Sequence, residues 1–264
     1  MDSRPIGIFD SGIGGLTVCK AIHELLPGEH LIYFGDTARF PYGTRSAETL
    51  IRYARQITAY LLSRNVKMIV IACNTSSAAA LPVLQQENTI PIIGVINAGA
   101  RAACKRAHNN LIGVIGTRAT VSSKSYEKAI HAINPAITVI QQHATLLVSL
   151  IEEGWIEDDV TKLTIQRYLQ HMIDQDLKTL ILGCTHFPIL KKTIHDVYPQ
   201  LDLVDTGEEI AKEVKEILTK KNLANNSSSG TIELLASDIT DTMQSLKKLF
   251  FNGNDVPIEK LVIG

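Results

Sequence analysis

Two short segments of this chain carry the same order of residue types, and each contains a cysteine followed by polar side chains. Residues 68–75 read Met-Ile-Val-Ile-Ala-Cys-Asn-Thr, and residues 179–186 read Thr-Leu-Ile-Leu-Gly-Cys-Thr-His. A run of branched apolar residues predicts a buried strand, so each strand would deliver one thiol, Cys73 or Cys184, to a crevice. Two such thiols predict a two-sided site, which can remove a proton from one face of a carbon atom and return one to the other.

The thiols have an alternative interpretation, because most free cysteines are packing residues. Either thiol alone would favour packing, whereas two thiols at equivalent positions beside Asn, Thr and His favour chemistry. Both precede predicted helices, and a helix N-terminus lowers the pKa of a thiol, so we expect both to be reactive. Cys19 and Cys104 fall inside predicted helices and are expected to be inert.

Other polar residues also follow predicted strands, where open α/β sheets bind ligands beyond the carboxyl ends. They are Asp10, Ser11, Pro41, Tyr42, Gly43, Asn74, Thr75, Thr117, Thr120, Thr185 and His186. Asp10 and the pair Glu152–Glu153 place carboxylates near these loops. Four of these residues have a structural alternative. Asp10 could be a turn or helix-cap residue, and Glu152 could lie on a solvated helix face. His186 could be a structural histidine with its hydrogen bonds made, and Tyr42 could be a packing residue.

The loop Asp10-Ser-Gly-Ile-Gly-Gly15 opens a predicted helix, whose N-terminal N–H groups favour an anion. Its G-x-G-G spacing differs from the dinucleotide fingerprint G-x-G-x-x-G, and the chain has no Walker motif. A carboxylate is therefore the expected ligand of this loop. No lysine follows a predicted strand in the position that a pyridoxal Schiff base would need.

Composition favours an ordinary soluble globular protein, with 264 residues, 45% hydrophobic and 20% charged. The net charge of −1 and the lack of a basic block predict no nucleic-acid partner. No apolar run reaches the roughly 18 residues of a membrane span, and the first residues lack the apolar core of a signal peptide, so a cytoplasmic location without membrane contact is expected. The four cysteines are scattered and lack C-x-x-C spacing, which predicts free thiols and no zinc ribbon.

Short apolar strands alternate with helical patterns along the chain, which predicts parallel sheets joined by crossovers. We expect two similar α/β halves, residues 1–97 and 98–206, with the tail 207–264 returning to the first half. The predicted strands are 5–9, 31–34, 68–72, 92–95, 111–115, 137–140, 179–183, 201–204 and 232–236, followed by a short end strand. Among the predicted helices are 76–86, 122–133, 145–153, 188–197 and one near 240–251.

Five segments of the chain, in order, match motifs of glutamate racemases in the aspartate/glutamate racemase family. They are Gly7-Ile-Phe-Asp-Ser-Gly-Ile-Gly-Gly-Leu-Thr17, Gly35-Asp-Thr-Ala-Arg-Phe-Pro-Tyr-Gly43, Ala72-Cys-Asn-Thr75, Glu152-Glu-Gly154 and Leu182-Gly-Cys-Thr-His-Phe-Pro188. The resemblance implies two pseudo-symmetric α/β domains, each a mainly parallel sheet flanked by helices, with the active site at the domain interface. It also implies interconversion of L- and D-glutamate without pyridoxal phosphate or metal, supplying D-glutamate for peptidoglycan synthesis.

The resemblance also implies roles for individual residues. Cys73 and Cys184 would be the acid/base pair, with Asp10 assisting Cys73, and with Glu152 and His186 assisting Cys184. The positions that resemble substrate-binding residues are Asp10, Ser11, Pro41, Tyr42, Gly43, Asn74, Thr75, Thr117, Thr120, Thr185 and His186. The implied partners are the two glutamate enantiomers, and the family allows a homodimer.

Two other functions stay open at this point. A racemase for aspartate or a hydantoin would share the cysteine segments, although the 35–43 loop and the glycine-rich loop favour glutamate. A non-catalytic amino-acid-binding protein could keep the same fold, but simple binding needs neither thiol.

One stretch departs from the family pattern. Residues 141–149 read Gln-Gln-His-Ala-Thr-Leu-Leu-Val-Ser, where relatives carry a Cys-Pro-Leu-Phe-like sequence. We expect different packing of that wall, with an effect on the flexibility or activator sensitivity of the second half.

Overall fold

The computed structural model describes residues 2–241, Gln244, Lys247 and 256–263. The strands are β1 (Ile6–Asp10), β2 (Leu31–Gly35), β3 (Met68–Ile71), β4 (Ile92–Gly94), β5 (Leu111–Gly116), β6 (Thr138–His143), β7 (Thr179–Gly183), β8 (Asp202–Asp205), β9 (Ile232–Ala236) and β10 (Ile258–Lys260). The helices are α1 (Leu16–Leu25), α2 (Ala47–Ser63), α3 (Asn74–Glu87), α4 (Val95–Arg106), α5 (Arg118–Ser122), α6 (Ser125–His131), α7 (Thr145–Glu152), α8 (Asp159–Ile173), α9 (Lys191–Val197) and α10 (Thr206–Lys220), with 3-10 turns at Thr37–Arg39 and Phe187–Leu190.

The described strands form two parallel sheets with the same internal order. One runs β10-β9-β2-β1-β3-β4 and the other runs β6-β5-β7-β8, so β5 to β8 repeat the order of β1 to β4. Strand β3 ends just before Cys73 and β7 just before Cys184, which gives the two thiols equivalent places in the two sheets. The predicted α/β fold with two mainly parallel sheets is confirmed.

Several element boundaries differ from the sequence prediction for local reasons. The predicted helix 122–133 is two helices, α5 and α6, because Lys124 between them has φ 54°, in the left-handed region that no helix continues through. The predicted helix 188–197 begins as a 3-10 turn with Pro188 near its start. The predicted strand 232–236 is confirmed as β9, which pairs with β2, whereas the predicted helix near 240–251 lies mostly outside the described residues.

The central strands of both sheets are buried on both faces because helices cover each sheet. The burial of β1, β2, β3, β5 and β7 is complete along their length, which is why they are continuous apolar runs rather than alternating patterns. Helix α10 follows the second sheet and packs against both α1 and α4. It therefore ties the helical layers of the two sheets together.

A buried ion pair anchors the start of β3, the strand that leads to Cys73. The Lys67 side chain is fully buried, and its Nζ lies 2.5 Å from Glu29 Oε2. The same ammonium donates hydrogen bonds to the carbonyl oxygens of Asp2 and Leu223. The pair thus joins the N-terminal segment and the chain after α10 to the base of the central strands.

We expect Glu29→Gln to lower the free energy of unfolding by about 3–5 kcal/mol, because it leaves the Lys67 ammonium buried without its counter-charge. Urea unfolding at neutral pH measures the effect. The double variant Glu29→Leu/Lys67→Met removes both charges and should recover most of the loss. A Glu29→Gln effect below about 1 kcal/mol, the level of an exposed pair, would contradict this role.

Candidate active site

The loops that follow β1, β3, β5 and β7 meet around a cavity of about 140 Å³ between the two sheets. It is lined by Ser11, Phe40, Pro41, Tyr42, Gly43, Thr44, Cys73, Asn74, Thr75, Thr117, Thr145, Val148, Ser149, Glu152, Cys184, Thr185 and His186. Both thiols are among these residues, so the duplicated strand ends do form one two-sided cavity.

Cys73 is the N-cap residue of α3 and is only 5% exposed. The Ser76 N–H donates to its sulfur at 3.4 Å, and the thiol lies 3.6 Å from Ser11 Oγ. Burial, together with the negative charge of Asp10, nevertheless raises the pKa of Cys73 to about 12. The sequence predicts that the helix N-terminus lowers the pKa of Cys73. This prediction is wrong, because the loss of hydration raises the pKa by more than the hydrogen bonds lower it. At neutral pH Cys73 is therefore a thiol, a proton donor.

Cys184 lies beside a buried imidazole that is itself paired with a carboxylate. Its sulfur is 3.9 Å from His186 Nδ1, and His186 Nε2 is 3.2 Å from Glu152 Oε1. Burial alone would lower the pKa of His186, but the hydrogen bonds and charges of Cys184 and Glu152 raise it to about 10. The imidazole is then an imidazolium at neutral pH, so Cys184 lies beside a buried positive charge.

Asp10 lies behind the cavity wall rather than on its surface. The N–H groups of Gly12 and Gly15 donate to its Oδ2 at 3.2 and 2.9 Å, and Thr185 Oγ1 donates to the same oxygen at 3.4 Å. Burial raises the pKa of the carboxyl, although the charge of His186 and the backbone donors oppose the shift. At this helix N-terminus, where the sequence predicts a carboxylate ligand, the loop N–H groups thus bind the chain's own Asp10 carboxyl.

The glycines of this loop permit an approach that a side chain would block. A Cβ at Gly15 would lie 2.4 Å from Asp10 Cβ, and one at Gly14 would lie 2.6 Å from both His186 Nδ1 and Thr185 Oγ1. Since carbon atoms do not tolerate such distances, Gly14 is what allows the loop after β1 to contact the loop after β7.

Three threonine hydroxyls form a hydrogen-bonded triangle across the cavity wall. Thr75 Oγ1 lies 2.8 Å from Thr117 Oγ1 and 3.2 Å from Thr120 Oγ1, and the latter two are 3.0 Å apart. Thr75 belongs to the first half of the chain, and Thr117 and Thr120 belong to the second. Thr120 is fully buried behind its partners, and every other predicted site residue except Asp10 lines the cavity.

The described lining of the cavity carries little positive charge. Among the described lining residues none is lysine or arginine, and His186 is the one side chain that carries positive charge. Hydroxyl, amide and thiol groups and the Glu152 carboxylate supply the remaining side-chain polarity. Within the described chain, no group of three or more His, Cys, Asp or Glu side chains is arranged to hold a metal ion, and no helix combines the length and hydropathy of a membrane span.

Comparison with known proteins agrees with this geometry. The family model for Asp/Glu/Hydantoin racemase matches residues 6–214. The chain belongs to this family. The resemblance seen in its motifs is thereby confirmed, and the chain is a racemase, an isomerase by reaction class.

Three similar proteins each cover at least 98% of this racemase. A glutamate racemase of Chlorobaculum parvum is 46% identical over 261 residues, covering 98% of this chain and 96% of the relative. The crystal structure of a Francisella tularensis glutamate racemase in complex with D-glutamate is 38% identical with a TM-score of 0.93, covering 100% of this chain and 99% of that one. A glutamate racemase isoform from Bacillus anthracis is 32% identical with a TM-score of 0.94, covering 99% and 98%.

Sequence reasoning missed part of the racemase cavity. Thr145, Val148 and Ser149 share one side of α7 with Glu152. They precede Glu152 by seven, four and three residues, and this helical spacing is the sequence signal that indicates a shared face. Phe40 and Thr44 flank the predicted residues 41–43. The stretch 141–149 that departs from the family pattern therefore contributes directly to the cavity wall.

We expect the stabilising effect of His186 to fall as pH rises. Its folded-state pKa of about 10 lies above the value of 6.5 for an ordinary histidine, so its contribution is complete below pH 6.5 and is lost as pH rises towards 10. The difference in unfolding free energy between the wild type and His186→Asn should shrink by at least about 1 kcal/mol over this range. Urea unfolding at intervals between these pH values measures it.

The variant His195→Asn, at an exposed position of α9, controls for the loss of a histidine outside the cavity. A wild-type advantage over His186→Asn that grows with pH would contradict the ion pair.

Proposed function

We propose that this protein interconverts L-glutamate and D-glutamate without a cofactor, using Cys73 and Cys184 as acid and base on opposite faces of the substrate α-carbon. The observation that carries the proposal is that equivalent thiols, delivered by β3 and β7, line one cavity. Simple binding of an amino acid requires neither thiol. The similar proteins of high coverage are glutamate racemases, and the Francisella relative is in complex with D-glutamate, which supports glutamate as the substrate.

The unequal surroundings of the thiols support an assignment of acid and base. Cys73 is the proton donor because its pKa is about 12, and Cys184, whose sulfur lies 3.9 Å from His186 Nδ1, is the base. In one direction the Cys184 thiolate takes the α-proton, and the Cys73 thiol gives its proton to the opposite face. The product enantiomer leaves with the protonation states exchanged, and the reverse direction uses Cys73 as the base.

Asp10 and the pair Glu152–His186 assist these steps through their charges. A charged Asp10 raises the pKa of the neighbouring Cys73, which increases the basicity of a thiolate there. His186 can hold or release a proton beside Cys184 while Glu152 holds its ring in place. Proton transfer by positioned groups of this kind accelerates reactions by about 10²–10⁴-fold.

The cavity offers neutral donors for the two substrate carboxylates. The proposed binding residues are Ser11, Pro41, Tyr42, Gly43, Asn74, Thr75, Thr117, Thr185 and His186, with Asp10 and Thr120 supporting them from behind. Donors that the fold holds in fixed positions stabilise the charge that grows on the α-carboxylate as the proton leaves. The described lining residues include no lysine that could form a Schiff base, which supports a reaction without pyridoxal phosphate.

We further infer two domains, residues 1–97 with 207–264 and residues 98–206, since β9 and β10 extend the first sheet. Two catalytic thiols require a reducing compartment, which supports a cytoplasmic location. There the enzyme would supply D-glutamate for peptidoglycan synthesis.

We expect purified protein to abolish the circular dichroism of L-glutamate without added cofactor, and we expect Cys73→Ser and Cys184→Ser to lower kcat by at least about 10²-fold. In D₂O, deuterium should enter the α-position with wild type. The matched control Cys104→Ser changes a half-buried thiol outside the cavity and should retain activity.

Each alternative function has its own outcome in this assay. Racemisation of aspartate or a hydantoin with glutamate left untouched would replace the substrate. If glutamate, aspartate and the hydantoin are all left unracemised and take up no deuterium, the result favours a non-catalytic amino-acid-binding protein. Full activity in either serine variant would contradict the two-thiol mechanism.

A further inference from the structure

Tyr126 makes a hydrogen bond that joins the two halves of the chain beside the cavity. It lies on α6, after the first strand of the second sheet, and its hydroxyl donates to Asn74 Oδ1 at 2.6 Å. Asn74 is the first residue of α3 and follows Cys73 directly. The hydroxyl thus holds a side chain next to one of the reactive thiols.

The bond determines which end of the Asn74 amide is available. Because Oδ1 accepts from Tyr126, the Nδ2 donor is directed away from that contact, and this buried nitrogen has no partner among the described residues. Asn74 itself lines the cavity. A buried amide donor without a partner costs free energy, which an acceptor brought by a ligand carboxylate would offset.

The Tyr126 ring is held so that its hydroxyl has little freedom. Tyr126 is fully buried, and a Cβ at Gly183 would lie 3.1 Å from its Cε2, while one at Gly99 would lie 3.4 Å from its Cε1. The ring therefore packs against glycine backbone on two sides, and one of these glycines directly precedes Cys184. Burial and the charge of Cys184 raise the pKa of the phenol, so the hydroxyl remains a donor.

We propose that Tyr126 is a positioning residue, which orients the Asn74 amide so that Nδ2 binds a carboxylate of the substrate. The inference rests on the proposed glutamate racemase function and extends it to a residue that does not line the cavity. It also explains the glycine at position 183 of the second cysteine segment, because a side chain there would displace the Tyr126 ring that fixes Asn74.

The variant Tyr126→Phe keeps the ring and removes the hydroxyl. Loss of one positioned hydrogen bond should raise KM for both glutamate enantiomers about 3–10-fold, with kcat changed less than about twofold, because binding is weakened equally in the ground and transition states. In an Asn74→Ala background the same change should leave KM unaltered, since the two residues act as one unit. Initial rates by circular dichroism over a range of substrate concentrations give these values.

Tyr198→Phe is the matched control, because it removes a hydroxyl that donates to Gln170 at 3.1 Å outside the cavity; its KM should equal that of wild type. An unchanged KM in folded Tyr126→Phe, with wild type active, would overturn this inference alone. If Tyr126→Phe also raises KM in the Asn74→Ala background, the inference is overturned too. No glutamate turnover by the wild type would overturn the proposed function and this inference with it. If Tyr126→Phe does not fold, an Asn74→Ala variant whose KM equals that of wild type would overturn the inference.

Discussion

The site depends on ionisable groups that are buried around one cavity whose described lining has no lysine or arginine. A buried charge persists only where a partner or a set of donors replaces water. His186 meets this condition between Glu152 and Cys184. The Asp10 carboxyl accepts hydrogen bonds from the N–H groups of its own loop. The glycines at positions 14 and 15 follow from the same need, because those contacts require the backbone to approach closely.

The repeated strand order makes the two thiols equivalent in topology, yet their surroundings differ in chemistry. Cys73 caps a helix and lies near a carboxyl group, whereas Cys184 lies beside an imidazolium. Such an asymmetry suits a reaction that needs one proton donor and one acceptor at the same time.

Hydrogen bonds between the halves complete the cavity. Thr75 with Thr117, Asn74 with Tyr126, and Asp10 with Thr185 each join a residue of the first half to one of the second. Helix α10 packs against helices of both halves. The cavity wall is therefore made by the contact between the halves, and the orientation of its donors depends on that contact.

The sequence by itself determined the strands, the equivalence of their ends and most of the residues that line the cavity. These features are local, since an apolar run followed by polar residues encodes both a buried strand and the loop at its end. Only the tertiary structure decided that burial raises the pKa of Cys73, that Asp10 and Thr120 lie behind the wall, and that Tyr126 holds Asn74. Desolvation and hydrogen-bond partners arise from segments far apart in the chain, and no local pattern of residues specifies which of those segments will meet.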